Sequence, residues 1–281
     1  MSDQSETARQ KPIDPPQSWL RPNWDFAFAL HQPNARKQAA LLAERYFVLC
    51  TNRYGGLSEG VFSSMNLGFS QGDDKALVAE NRRLLEQFLP YPAGYLHLVH
   101  GARCVRDDEL AAHQRLPEAD AAVLTSKGRS LVMLTGDCLP IVLAEAQGQA
   151  LGMVHAGWRG LACGVIESAV HVLRSAVEPR ARLLAWIGPG IGPAAFEVGE
   201  DVLMAFPENE RGAEFFRKRP LQAGQARWMG DLIAIARRRL GLAGISAVGG
   251  GLWCTWHDGS RYFSHRRQAG GGRFATVIAI R

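Results

Sequence analysis

Leu131-Val132-Met133-Leu134-Thr135-Gly136-Asp137-Cys138 and Leu151-Gly152-Met153-Val154-His155-Ala156-Gly157-Trp158-Arg159-Gly160 are apolar runs that end at glycine beside a side chain able to bind metal. A third run, Leu96-His97-Leu98-Val99-His100-Gly101, closes the same way. Short apolar runs bounded by turn residues read as buried strands, and strand ends are where side chains emerge at a rigid mouth. The whole stretch from Tyr95 to His155 is a succession of such runs, which makes it the sheet-forming heart of the chain.

Outward from that heart the pattern changes. Towards the N-terminus, residues 33–45 predict a short surface helix, Tyr46 to Cys50 a strand, and Thr51 to Gly60 a loop. Asp73 is expected to open an amphipathic helix, because Leu77, Val78, Leu84, Leu85, Phe88 and Leu89 fall on one face before Pro90 and Pro92 end it. Towards the C-terminus a helix is expected from about Leu161 to Val177, then a strand from Leu183 to Ile187 and a rigid glycine-proline loop from Gly188 to Pro193. Further helices are expected over 199–206, 210–218 and 229–240, and a last strand from Phe274 to Ile280. Strands in the middle and at both ends, with helices between, predict an α+β fold of mixed β-sheets packed with helices rather than a regular βαβ alternation. Residues 1–17, polar and proline-rich, read as a disordered lead-in, and residues 18–281 as one domain without a compositional boundary.

Composition narrows the function classes. Hydrophobic residues make up 47% of 281 positions, ample for a buried core. The five cysteines are scattered with no CxxC pair, which argues for a reducing compartment over a disulfide framework. With no signal-peptide pattern and no membrane-spanning run, a soluble, cytoplasmic protein is the expectation. The net charge of +5 is spread thinly. Arg217-Lys218-Arg219 and Arg237-Arg238-Arg239 read as solvated helix faces rather than a nucleic-acid surface. Gly56-Leu57-Ser58-Glu59-Gly60 matches GxSxG, but the residues after it make a poor helix start, so a nucleophile elbow is not expected.

His100, Cys138 and His155 leave three readings open. Two imidazoles and a thiolate can fill three of four positions around zinc, with the fourth open for water or substrate. Cys138 could instead be a nucleophile with a histidine as its base. Each residue could also be a satisfied core group. Their company favours a site. Asp137 adjoins Cys138, and Gly157-Trp158-Arg159-Gly160 leads into a helix whose start, with its arginine, suits an anion. Asn52, Arg53, Asn66, Asn81-Arg82 and Phe263-Ser264-His265-Arg266-Arg267 are polar segments that could face the same cavity or serve as ordinary turns. Cys254 or His97 could close a purely structural zinc site.

Ordered motifs extend over most of the chain: Thr51-Asn52-Arg53-Tyr54-Gly55-Gly56-Leu57-Ser58, Ser64-Met65-Asn66-Leu67-Gly68, Val99-His100-Gly101, Thr135-Gly136-Asp137-Cys138-Leu139-Pro140, Val154-His155-Ala156-Gly157-Trp158-Arg159-Gly160 and Phe263-Ser264-His265-Arg266-Arg267. With them the chain resembles the YfiH family, also described as laccase-domain polyphenol oxidases and peptidoglycan editing factors. The resemblance implies zinc, with copper less suited, held by His100, Cys138 and His155. It also implies purine nucleoside phosphorolysis (adenosine, inosine, methylthioadenosine) with adenosine deamination. On that reading Cys138, His155 and Asp137 are catalytic candidates, and Arg53, Asn66, Trp158, Arg159 and Arg266 are substrate-binding candidates. The expected partners are a small-molecule nucleoside and phosphate, with no nucleic acid and no membrane, on a monomer or homodimer. Alternatives are an amidase that edits peptidoglycan precursors, a copper-dependent phenol oxidase, and a non-enzymatic protein with structural zinc. Asn52, where the family usually has threonine, and an apparent insertion between Trp24 and Tyr46 depart from the pattern.

Overall fold

A computed structural model describes residues 15–27, 35–112, 117–221, 224–245 and 247–281. The expected disordered lead-in lies outside the described residues up to position 14, as do residues 28–34 of the apparent insertion. The strands are β1 (Tyr46–Cys50), β2 (Ala93–Tyr95), β3 (Cys104–Arg106), β4 (Ala121–Leu124), β5 (Ser130–Thr135), β6 (Leu139–Glu145) and β7 (Leu151–Ala156). They continue with β8 (Leu183–Ile187), β9 (Glu197–Val198), β10 (Phe216–Lys218), β11 (Trp228–Gly230), β12 (Ala247–Gly250) and β13 (Phe274–Ile280). The helices are α1 (Ala35–Arg45), α2 (Lys75–Glu86), α3 (Asp107–Ala112), α4 (Trp158–Ala162), α5 (Val165–Ser175), α6 (Glu200–Met204) and α7 (Leu232–Leu242).

Two mixed sheets carry the architecture. One has four strands in the order β1-β13-β5-β2, the other six in the order β12-β8-β6-β7-β4-β3, and β10-β11-β9 form a small third sheet. Side chains alternate along each strand, so a strand buried on both faces reads as continuous apolar sequence. In β13, Ala275, Val277 and Ala279 pack with Leu85 and Leu89 of the α2 region. Phe274, Ile278 and Ile280 turn the other way, into a core shared with Val142, Met153 and Trp186 of the larger sheet. The opposite face of the larger sheet, with Ile141, Leu143 and Val154, is covered by Val165, Ala169 and Leu173 of α5 and by Ile235 and Leu240 of α7. The result is four layers: helix, sheet, sheet, helix. Trp24 and, from α1, Ala39 and Leu42 join the inter-sheet core, so this part of the apparent insertion is an integral piece of the fold. Among the described residues no helix is long and apolar enough to cross a membrane.

The α+β expectation holds, and the strands expected at 46–50, 183–187 and 274–280 form there. Four expectations need correction. The helix expected from Leu161 to Val177 is two helices, split where Gly164 takes a left-handed backbone (φ 86°) that glycine adopts without steric cost. Residues 210–218 are not a helix. A 3-10 turn at Glu208–Glu210 is followed by β10, in which Phe216 is buried and Arg217 and Lys218 are exposed. The helix expected at 229–240 begins only at Leu232, after β11, and Asp231 caps it by accepting from the Ala234 N–H at 2.8 Å. Asp74, not Asp73, caps α2.

The two basic clusters also differ from solvated helix faces. Arg217-Lys218-Arg219 follows a strand edge, and Arg239 in α7 is buried, paired with Glu210 at 2.7 Å and Glu167 at 3.2 Å. Truncating Glu210 leaves the Arg239 guanidinium buried without its main partner. Glu210→Ala is therefore expected to cost about 3–5 kcal/mol, read as a lowered midpoint in urea unfolding. An unchanged midpoint would show the pair to be inert.

Candidate metal centre

Cys138 stands where the chain leaves one sheet for the other, between the end of β5 and the start of β6. His155 lies in β7, opposite Pro140 of β6 in the antiparallel register. His100 is in the loop between β2 and β3. These three donors, from separate segments, have ligand atoms all within 4.8 Å of one another. Cys138 Sγ is 3.8 Å from His100 Nε2, close to the separation of roughly 3.5 Å expected for two donors on one tetrahedral zinc. Burial is graded, with His155 buried, Cys138 half-buried and His100 exposed, so the cluster opens to one side.

Asp120 organises the cluster. Its fully buried carboxylate accepts the backbone N–H groups of His100 at 2.9 Å, Gly101 at 2.7 Å and Val99 at 3.2 Å. The same carboxylate pairs with His155 Nδ1 at 2.8 Å, which leaves Nε2 as the ligand atom. Burial alone would raise the Asp120 carboxyl, but the hydrogen bonds from His155 and the loop amides outweigh it and hold the group below its usual range. His100 is held at φ 60° and Asp137 at φ 133°, backbone strain concentrated on two residues of the site. Gly157 makes room: a Cβ there would fall 2.8 Å from Cys138 Sγ and 3.2 Å from His100 Cδ2.

The electrostatics favour a thiolate. Burial opposes ionisation of Cys138, yet the charge of His155 and hydrogen bonds from both histidines bring its thiol down to about 6. Burial likewise opposes the imidazolium of His155, while the Cys138 thiolate and Asp120 raise it to about 9. In the metal-free protein the two form a coupled ion pair, a thiolate ready to ligate or to attack.

A cavity of about 610 Å³ opens in front of the trio. Phe69, Tyr95, Leu98 and Leu134 supply apolar wall, while Arg82, Arg273, His97 and His265 add polar groups. Asp137 lines it too, but both its oxygens are engaged, one by Thr255 Oγ1 and one by the Arg266 N–H, each at 2.6 Å. It thereby ties the C-terminal loop to the residue before Cys138.

The five substrate-binding candidates are not among the residues lining this cavity. Arg53 donates to the carbonyls of Ser63 and Gly259, and Asn66 is fully buried, bonded to Gly68, Asp73 and Arg273. Trp158 has the Arg159 guanidinium over its ring at 4.2 Å, and Arg266 reaches the Glu197 carbonyl. Asn52 also lies outside the lining, with its side-chain amide on Ser18. Ser58 of the GxSxG pattern is buried between Asp73 and Asn81. Cys254 is bonded to the Gly192 N–H and His257, so it does not close the trio, and His97 lies 3.6 Å from Glu118. Sequence reasoning missed Asp120 and Arg273 as site residues. Asp120 had a signal in Ala119-Asp120-Ala121, a carboxylate set in an apolar run that needs several buried partners.

Two measurements probe this geometry. Asp120→Asn is expected to weaken zinc binding about 10- to 100-fold in chelator competition, and unaltered affinity would contradict the bracing role. For the metal-free protein, site-resolved alkylation of Cys138 should stay fast as pH falls from 9 and slow only below about 6. An ordinary thiol would already slow near its usual value of about 8.5, and that profile would refute the thiolate.

The family model described as multi-copper polyphenol oxidoreductase laccase matches residues 47–281. A curated purine nucleoside phosphorylase of Xylella fastidiosa (strain Temecula1) is 47% identical over 246 residues, covering 83% of this chain and 91% of that one. Escherichia coli K12 purine nucleoside phosphorylase YfiH is 36% identical over 233 residues, 81% of this chain and 91% of its own. Among solved structures, a Neisseria meningitidis protein of the family named DUF152 superposes with a TM-score of 0.76 at 35% identity, covering 84% of this chain and 94% of that one. With the family model and the relatives in agreement over most of its length, the chain belongs to the YfiH family of laccase-domain proteins.

Proposed function

We propose that this protein is a zinc-dependent purine nucleoside phosphorylase, acting on adenosine, inosine and methylthioadenosine, that also deaminates adenosine. The supporting observation is the trio of His100, Cys138 and His155 in the wall of a cavity of about 610 Å³, a size suited to a small-molecule site. The phosphorylase names of the relatives agree with it. The free cysteines suit a reducing, cytoplasmic setting.

Two imidazoles and one thiolate suit zinc, and among the described residues no fourth protein donor joins them. Phenol oxidation by several copper ions needs paired histidine clusters, whereas the trio contains two histidines in all. When bound, zinc supplies Lewis acidity for both reactions, cleavage of the glycosidic bond by phosphate and replacement of the adenosine 6-amino group by water. In phosphorolysis a phosphate oxygen bonds to C1′ as the C1′–N9 bond breaks, and the base leaves with the bonding electrons and takes up a proton. His97 and His265, both in the cavity wall, are the candidates to give that proton. Asp120 holds His155 and the His100 loop at fixed separation, and Asp137 anchors the neighbouring loop.

The test is incubation of the purified, zinc-loaded protein with inosine and phosphate. Hypoxanthine and ribose 1-phosphate are the expected products, and Cys138→Ser should lower kcat/KM by at least about a hundredfold. No base release from fully loaded protein would refute the assignment. The low thiol pKa of Cys138 favours one second reading, a cysteine nucleophile acting on an amide of a peptidoglycan precursor. Under that reading a chelator leaves activity intact and alkylation of Cys138 abolishes it. Under the zinc reading the chelator alone is enough.

A further inference from the structure

Arg82 and Arg273 are half-buried guanidiniums in the wall of the same cavity as the trio. They come from distant parts of the chain, Arg82 from α2 and Arg273 from the residue before β13. Both grip the segment from Asn66 to Gln71. Arg82 Nε donates to the Leu67 carbonyl at 2.9 Å, while the backbone of Arg273 exchanges hydrogen bonds with Leu67 and Asn66. The Arg82 guanidinium is held between two rings, 4.3 Å from the Phe69 centroid and 4.1 Å from that of Tyr95. Arg273 lies along Gly136, where a Cβ would meet its Cδ at 3.1 Å, two residues before Cys138.

Neither guanidinium is paired with a carboxylate among the described residues. A guanidinium has five N–H donors. Arg82 commits Nε to Leu67, and Arg273 commits Nη1 to the carbonyls of Gly271 and Gly272 at 2.7 and 3.1 Å. Among the described residues no protein group takes their remaining donors, and both side chains line the cavity. Burial disfavours the charge of both, for Arg273 against the favourable charges of Cys138 and Asp137, and a bound anion would offset that cost. Ser70 and Gln71 line the same stretch and add a hydroxyl and an amide.

We propose that Arg82 and Arg273 form an oxyanion subsite in this cavity that takes inorganic phosphate, the attacking co-substrate, and presents it beside the metal centre. The assignment to a co-substrate rests on the phosphorolytic reading; the oxyanion subsite itself does not. Two guanidiniums on one dianion give charge-assisted, geometrically specific bonds. They also supply the anion-holding role expected of Arg159 from the sequence, from residues that line the cavity.

The experiment measures binding of inorganic phosphate to the zinc-loaded full chain by calorimetry, with no nucleoside present. Arg82→Gln and Arg273→Gln are each expected to weaken it at least about tenfold, with the bound zinc content unchanged. Arg273→Lys should recover part of the loss. Phosphate affinity unchanged in both glutamine variants overturns the proposal. So does a parent protein that ignores inorganic phosphate but binds inosine 5′-monophosphate through the two arginines, because the phosphoryl group then arrives on the organic substrate. Should a variant fail to fold, phenylglyoxal labelling of the parent replaces it: phosphate must shield both arginines, and labelling unaffected by phosphate overturns the proposal. Arginine-dependent phosphate binding without inosine cleavage would keep the subsite and remove phosphorolysis.

Discussion

The carboxylate of Asp120, wholly buried between β4 and the loop it faces, is shared by three consecutive backbone amides and one imidazole. An ionised carboxylate in an apolar interior is costly unless its lone pairs are filled, and here four donors fill them. That requirement locks the His100 loop against β4 and orients the ring of His155 in β7. Two of the three candidate ligands thus take their positions from one side chain that is not itself among the three clustered donors. The third, Cys138, takes its position from the crossover between sheets.

The layering explains why such a site is affordable. Both large sheets are apolar on both faces, so the strand ends can carry strained or polar residues without threatening the core. The positive φ of His100 and of Asp137 falls in this margin, where surrounding hydrogen bonds over-determine the backbone. Gly157 and Gly136 belong to the same margin. Each lacks a side chain where a thiolate or a guanidinium passes close to the backbone.

The elements legible in the sequence were those whose signal is local. Tyr46–Cys50, Leu183–Ile187 and Phe274–Ile280 are apolar runs between turn residues, buried on both faces, and periodicity is enough for them. Phe215-Phe216-Arg217-Lys218 failed because two buried aromatics followed by exposed charges fit a helix end as well as a short strand, and pairing with β11 decides the matter. Gly164 failed because its left-handed conformation is a property of tertiary packing, invisible in an otherwise continuous helical pattern. The convergence of His100, Cys138 and His155 was legible from strand-end glycines and, more firmly, from family motifs. Asn81-Arg82 stood out as a polar segment, but Arg273 did not, since nothing in local spacing joins α2 to the approach to β13. Trp158 and Arg159, adjacent to His155 in sequence, stack on each other and are not among the residues lining the cavity.

The crossover at Cys138 also bears on how the protein folds. Its thiolate follows a strand of the four-stranded sheet, His155 lies in a strand of the six-stranded sheet, and His100 comes from a loop joining the two. All three donors are nonetheless fixed against the six-stranded sheet, where Asp120 ties the His100 loop beside β4 and Cys138 directly precedes β6, so the site is assembled only once that sheet has formed and is not a local metal loop like that of a zinc finger. A metal ion held by these donors would add its binding energy to the stability of the folded sheet by mass action.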